Sequence, residues 1–405
     1  MKKMYAVAAS ALLAAVFAMN AAAEEPVSFS FVQAQPEFQT AAQNLVAAYE
    51  ADFPNVTIEL LTQNDSLDTD LQTGNIPDIF YTGGYGQIAE YADYIEDLSD
   101  QPWVESIVDT AIPAITRDGK VYAFPWTFSS EAIAYNKAMF EENGWEVPTT
   151  VSELKALCET IQEAGITPFV NEFADDWLIG NIIADAGYTN IPDVADFDAK
   201  LKAGEVKFSD APELQYVFDT IDLMLEYGAP DPLSYGWTEA CTAFALGDGA
   251  MLAEGDWIWS TIEAIDPDIQ VGFFPLPVTD DPANSLILSD VNQCLHIGKG
   301  SKNPEAAKEF MNWMATSDTA RKIMLEEYQI TPCFEGWEFA GTNQLAASAS
   351  EYVQNGQSSI WWFNNWPVGF REACGAEMQK YIDGSATREE VLAAWDAAWD
   401  NITMS

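Results

Sequence analysis

Between Val27 and Leu61 the hydrophobic period of the sequence changes twice. Val27 to Val32 alternates, with Val27, Phe29 and Phe31 on one face. From Pro36 to Phe53 the apolar positions Phe38, Ala42, Leu45, Tyr49 and Phe53 recur at helical spacings, and Pro54-Asn55 ends the run. Val56 to Leu61 then alternates again, through Val56, Ile58 and Leu60. Strand, helix and strand in this order make a β-α-β unit, which requires a parallel sheet and a right-handed crossover. Open sheets of this kind bind ligands beyond the carboxyl ends of their strands. Gln33 and Gln35 follow the first strand, and the polar pair Asn64-Asp65 follows the second. A third short strand, Ile79 to Tyr81, runs into Gly83-Gly84-Tyr85-Gly86, which adds Tyr85 to the candidates. The glycine spacing matches neither dinucleotide nor P-loop phosphate motifs.

The chain has 405 residues, 48% of them hydrophobic. One hydrophobic core stops growing near about 250–300 residues, so two lobes are expected. A net charge of −47 repels phosphate backbones and anionic lipid, which argues against nucleic acid and membrane-surface partners. Lys2 and Lys3, the apolar run Tyr5 to Met19 and Ala21-Ala22-Ala23 have the layout of an export signal over residues 1–23. That segment holds no cysteine, so a freely soluble exported protein is expected rather than one lipid-anchored through a signal-peptide cysteine. The five cysteines show no Cys-x-x-Cys or zinc spacing. Cys158 reads as a buried hydrophobe, and one or two disulfides among the other four suit an exported protein. The single histidine, His296, reads as a packed residue with one hydrogen bond, and it excludes a His-rich metal site. Asp65, Asp68 and Asp70 lack the spacing and glycine of a calcium loop. Neither a metal nor a cofactor is expected.

Candidate ligand-facing residues gather where rings and polar groups interrupt the regular pattern. The stretch Asp118 to Trp145 reads as strand, break, strand and helix, with Trp126, Thr127, Ser129, Ser130 and Glu131 at the break. A hairpin with a core Trp would give the same pattern. Asp175-Asp176-Trp177 pairs two carboxylates with an indole. Carboxylates accept charge-assisted bonds from hydroxyls, and an indole face covers the C–H face of a pyranose ring. An acidic helix start beside a buried Trp is the competing reading. Gly255-Asp256-Trp257 follows the short strand Ala250 to Ala253 and adds Asp256 and Trp257. Trp237 counts as a further ligand-facing ring. Trp361 and Trp362 open an aromatic loop, Trp361 to Pro367, whose rings are costly to expose without purpose, and Arg371 follows it. Trp395 and Trp399 lie on an ordinary helical stripe and read as core, as does Trp259.

Several phrases carry a family resemblance. They are DGKVYAFPW with YNKAMFEENGWEVPTTVSEL, PDIF before the glycine loop, FALGDGAMLAEGDW, and SKNPEAAKEFMNWM. In this order they resemble the extracellular solute-binding proteins of ABC importers, and within them the sugar-binding family that includes maltose-binding protein. The resemblance implies a type II periplasmic-binding-protein-like fold: two α/β lobes with a hinge and an interlobe cleft. It implies a first lobe of residues 24–131 plus 291–331 and a second of 132–290 plus 332–405. It also places an aromatic sugar platform at Trp257, a third hinge crossing at Thr331-Pro332, and a membrane permease as partner. The expected function is capture of a carbohydrate by a monomer that is not an enzyme. Two competitors stand beside it: the same fold binding a polyamine or other cation, and a secreted glycoside hydrolase.

Overall fold

The computed structural model describes residues 25–33, 35, 38–62, 70, 73–339 and 341–403. The export signal, Asn64, Asp65 and Asp68 lie outside the described residues. Nine strands form one mixed sheet. They are β1 (Val27–Val32), β2 (Val56–Leu61), β3 (Ile79–Thr82), β4 (Phe124–Asn136), β5 (Thr167–Val170), β6 (Gly249–Gly255), β7 (Val271–Phe274), β8 (Ile287–Ile297) and β9 (Ser358–Ser359). The order is β2-β1-β3-β8-β4-β6-β5, with β7 also on β4 and β9 on β8. β1 and β2 pair in parallel from Val27↔Val56 to Val32↔Leu61, as the β-α-β pattern requires. Their crossover helix is Gln39–Asp52, which buries Ala42, Leu45 and Tyr49.

The expected break inside Phe124–Ser130 is absent: β4 is one continuous strand of 13 residues. Pro125 is its second residue. A proline this close to a strand start is tolerated because little of the ladder needs its missing N–H. β8 runs antiparallel beside it, from Leu288↔Glu131 to Leu295↔Phe124. These two long strands carry the sheet from one core to another. Phe124, Trp126, Val291 and Leu295 belong to a core with Phe29, Tyr49 and Phe310. Ile133 and Leu288 belong to a second, with Phe140, Phe169, Phe218 and Trp395. Ala132 and Ala134, one residue either side of Ile133, enter a third cluster with Phe244 and Trp259 on the other face of the sheet. That alternation is the period of two of a strand buried on both faces. The bridge Phe128↔Thr331 holds a further passage of chain against β4, and Ile107↔Phe334 ties the same passage to the segment after Ser106.

Local details depart from the sequence reading in informative ways. Thr387 and Glu390 form a reciprocal capping box. The sequence Thr150-Val151-Ser152-Glu153 has the same capping-box spacing, and Thr150 caps Glu153 N, but Glu153 reaches back one residue further, to Thr149. Asn303 does not cap its helix; its side chain donates to Ser28 O at 2.8 Å. The polar stretch after Asp193 holds the helix Val194–Lys202, supported by Lys200–Asp196 and Lys202–Asp198 pairs at i,i+4. All five cysteines are buried and none forms a disulfide, so the disulfides that suit an exported protein do not form here. His296 makes two hydrogen bonds rather than one: with Thr82 Oγ1 at 2.7 Å and with Tyr122 O at 2.8 Å. Burial lowers its pKa to about 4 and keeps it neutral. Thr82 Oγ1 also accepts Gly84 N–H, so the histidine anchors the glycine loop from below.

Candidate ligand-binding cleft

A cavity of about 550 Å³ opens where β4 and β8 cross between the cores. The carboxyl end of β3 supplies Tyr81, Thr82 and Gly83 on one side, with Gln35, Phe38 and Gln87 beside them. Glu131 from β4 and Val291, Asn292 and Gln293 from β8 form the floor. The opposite side carries Trp177, Asn181, Trp237, Trp257, Trp361, Phe363, Asn364 and Arg371. The ligand position expected for an open α/β sheet is therefore where the cavity lies.

The aromatic wall is assembled from three distant segments. Trp257 is the middle residue of the turn Asp256–Ile258 after β6, and its ring lies over Gly255, where a Cβ would approach the indole to 2.3 Å. Only glycine permits that seat. Trp177 stands 6.1 Å from Trp257 between ring centroids, and Trp361 stands 6.2 Å away at 81°. Trp361 stacks in turn on Phe363 at 5.6 Å and 19°. The helix that begins at Asp176 widens to a π-helix over Ile179–Ile183. Such a widening shifts which side chains face inward, and Asn181 sits within it.

Arg371 lies on the helix Phe370–Ile382, which packs closely on that π-segment. Its Nη1 donates to Asn181 Oδ1 at 3.2 Å, and Asn181 Nδ2 donates to Glu131 Oε1 at 3.0 Å. Glu372 accepts from Arg371 Nη2 at 2.6 Å. Burial pushes the Glu131 carboxyl up to about 8, against the opposing pull of Asn181 and Arg371. Glu131 is thus held largely as the neutral acid near pH 7, and Arg371 has its own counter-ion. The cavity presents almost no uncompensated charge. Several of the lining residues hold buried polar atoms that have no partner within the protein: Gln35 Oε1, Glu131 Oε2, both amide atoms of Gln293, Trp361 Nε1 and Asn364 Nδ2.

Of the residues singled out in the sequence, Glu131, Trp177, Trp237, Trp257, Trp361 and Arg371 come together on this cavity. Others do not line it. Gln33 is buried behind it, where its backbone carbonyl and side chain serve Gln39 and Gln35. Tyr85 donates to Asp290 Oδ1 at 2.8 Å, and Asp290 Oδ2 accepts Trp361 N–H at 3.1 Å, so the tyrosine acts beneath the wall. Asp175 accepts Trp237 N–H at 2.7 Å and so fixes the start of the helix Trp237–Ala245. Asp176 opens the helix before the π-segment. Asp256 is buried and accepts Ser130 N–H at 3.1 Å. Trp362 turns toward Tyr188, and its backbone N–H donates to Asp185.

Trp126 is the clearest correction. It is fully buried and meets Tyr328 edge-on at 4.9 Å. The alternation along β4 points it into the first core, while Glu131, five residues on, points the other way, to the cavity. Trp126→Ala is therefore expected to remove about 3–5 kcal/mol of stability, read by denaturant unfolding, while the folded fraction keeps its ligand affinity.

Sequence reasoning missed Asn181, Gln87, Asn292 and Gln293. A signal existed for each of the last two: an amide pair inside the apolar crossing strand, SDVNQCLHI. Asn181 was likewise the one amide in the apolar run WLIGNII. Among the described residues no group of three or more His, Cys, Asp or Glu is placed to hold a metal ion.

Residues 35–321 match the family model described as bacterial extracellular solute-binding protein. The chain belongs to that family. Among relatives of this solute-binding protein, a multiple sugar-binding protein of Streptococcus mutans is 23% identical over 314 residues, covering 74% of this chain and 73% of its own. The melibiose/raffinose/stachyose-binding protein MelE of Bacillus subtilis is 22% identical, covering 69% and 68%. Among solved structures, RafE in complex with raffinose superposes with a TM-score of 0.80 at 22% identity, over 93% of this chain and 99% of that one. A sugar transporter from Bacillus licheniformis in complex with stachyose gives 0.79 at 19% identity, over 93% and 100%. The fold is the two-lobe, type II periplasmic-binding-protein architecture. Solute-binding proteins hold a ligand without transforming it. Glu131 is the one carboxylate on the cavity among the described residues.

Proposed function

We propose that this chain is the receptor of an ABC sugar importer and that the cleft receives a short, uncharged oligosaccharide. One observation carries the reading. An aromatic wall of Trp177, Trp257 and Trp361 faces buried amide and acid groups that lack partners within the protein. A polyhydroxylated ring satisfies both at once, because its C–H faces cover indoles and its hydroxyls pair the orphaned atoms. Paired charges exclude strongly ionic cargo. The sugar names of the relatives support the same class.

Closure of the two lobes about β4 and β8 would bury the sugar and present a joined surface to a membrane permease. The proposed lobes are residues 24–131 with 291–331, and 132–290 with 332–405. Export, a monomeric state and no nucleic acid partner complete the proposal. The test is calorimetric titration of residues 24–405 with raffinose, stachyose, diacetylchitobiose and spermidine, followed by chromatography of the sugars. Saturable heat from one sugar class, recovered intact, is expected. Shortened sugars, heat from spermidine alone, or no heat from any sugar would overturn the proposal.

A further inference from the structure

Gln293 combines two anomalies at one point of the cleft. Its φ is +61°, in the left-handed region, and it is the only residue within a strand among the non-glycine residues described there. Tyr85, Asp118, Asp193 and Gln329, the others with positive φ, all lie in turns, caps or loops. A side chain other than Gly, Asn or Asp adopts that backbone at a penalty, and such outliers persist where the surroundings or a function require them. The side chain is also buried, 3% exposed, with no protein partner for either Oε1 or Nε2. Burying an amide without partners is among the more expensive local choices a fold can make. The ladder to β4 pairs Asn292 with Thr127 and Cys294 with Pro125 and leaves Gln293 out, without a change of register.

The place of Gln293 explains both. β8 pairs with β3 only from Cys294 onward, where Cys294 meets Thr82. Gln293 is the last residue before that second edge begins, so it stands where the sheet parts to form the cavity floor. Gln293 lines the cavity, and its backbone there is left-handed rather than pleated. Its neighbour Asn292 is engaged already, donating to Ser129 at 3.3 Å. We propose that Gln293 is a specificity-determining residue whose carboxamide reads two adjacent hydroxyls of one sugar ring. A carboxamide offers a donor and an acceptor side by side, and a vicinal diol offers the complement. A site built this way discriminates against a sugar that lacks one of those hydroxyls, because the amide atom it faces stays unpaired.

This inference rests on the carbohydrate reading above. The test uses Gln293→Gly, which keeps the left-handed backbone without penalty and removes the amide, and Gln293→Glu, which keeps the shape and removes the donor. Both are titrated with raffinose, stachyose and diacetylchitobiose beside the wild type, with melting temperatures. Gln293→Gly is expected to melt at or above the wild-type temperature and to bind its sugar about tenfold or more weakly. Gln293→Glu is expected to lose affinity as well. A glycine variant that binds within about twofold of wild type would overturn the role of Gln293 and leave the sugar reading standing. A wild type that binds none of the sugars fails the carbohydrate reading first, and this inference with it. A glycine variant that loses both affinity and melting temperature would assign Gln293 a structural role and also overturn the proposal.

Discussion

Replacing Trp257 by alanine is expected to weaken sugar binding by about 30- to 1,000-fold while leaving the melting temperature nearly unchanged. The ring is partly exposed and stands at the centre of the aromatic wall, flanked by Trp177 and Trp361. Its backing is Gly255, so truncation leaves an open gap that no neighbouring side chain refills. Central rings in well-packed sites dominate binding energies, and truncations there reach about 2–4 kcal/mol. Trp395→Ala provides the contrast. That ring is buried in the second core and donates to Cys374 O at 3.2 Å, so its loss should lower stability instead. Isothermal titration and thermal unfolding on the two variants separate the roles. Unchanged affinity in a folded Trp257→Ala protein would remove the wall from the binding mechanism.

The melting temperature of the protein is expected to fall by about 5 °C or more between pH 5 and pH 8, the reverse of ordinary acid denaturation. The cause is a set of carboxyl groups taken out of water around the crossing strands. Burial pushes Glu131 and Glu172 up to about 8, Asp256 up to about 7 and Asp290 up to about 6. It also raises Asp185 and Glu254 well above the usual carboxylate range. The neighbouring Glu172 adds to the rise of Glu254 after burial. In the unfolded chain such groups ionise near about 4. Between the unfolded and folded values the native state therefore binds more protons, and stability declines as pH rises. The stability is fully present below the unfolded pKa and is lost as pH passes through 6, 7 and 8 for the groups named.

General repulsion among the surface acids of a chain with net charge −47 acts in the same direction. Salt separates the two causes, since it screens exposed charges far more than buried ones. A pH slope that survives high salt and flattens in Glu172→Gln identifies the buried acids. A slope that salt abolishes would assign the effect to the surface.

Much of the architecture was legible because it depends on local periodicity. The alternation of Val27, Phe29 and Phe31 and of Val56, Ile58 and Leu60, either side of a helical repeat, specifies a parallel pair, and the register matches. Rings that follow a strand end, such as Trp257 after Gly255, were legible for the same reason: position along one strand implies which end they occupy. Trp126 was not legible. A continuous strand and a broken hairpin share its residues, and only the pairing of β4 with β8 decides which face the indole takes. Asp175 and Asp176 read as ligand groups by composition, yet Asp175 is used by the backbone of Trp237, a partner 62 residues away that no local pattern reveals.

By itself, then, the sequence determined most of the elements and the parallel start of the sheet, because these follow from spacing and residue type. Tertiary structure alone decided which residues line the cavity, which acids are buried, and that the amide of Gln293 is left without a protein partner. Those depend on burial and on partners contributed by remote segments, and neither quantity is a property of any short stretch of chain.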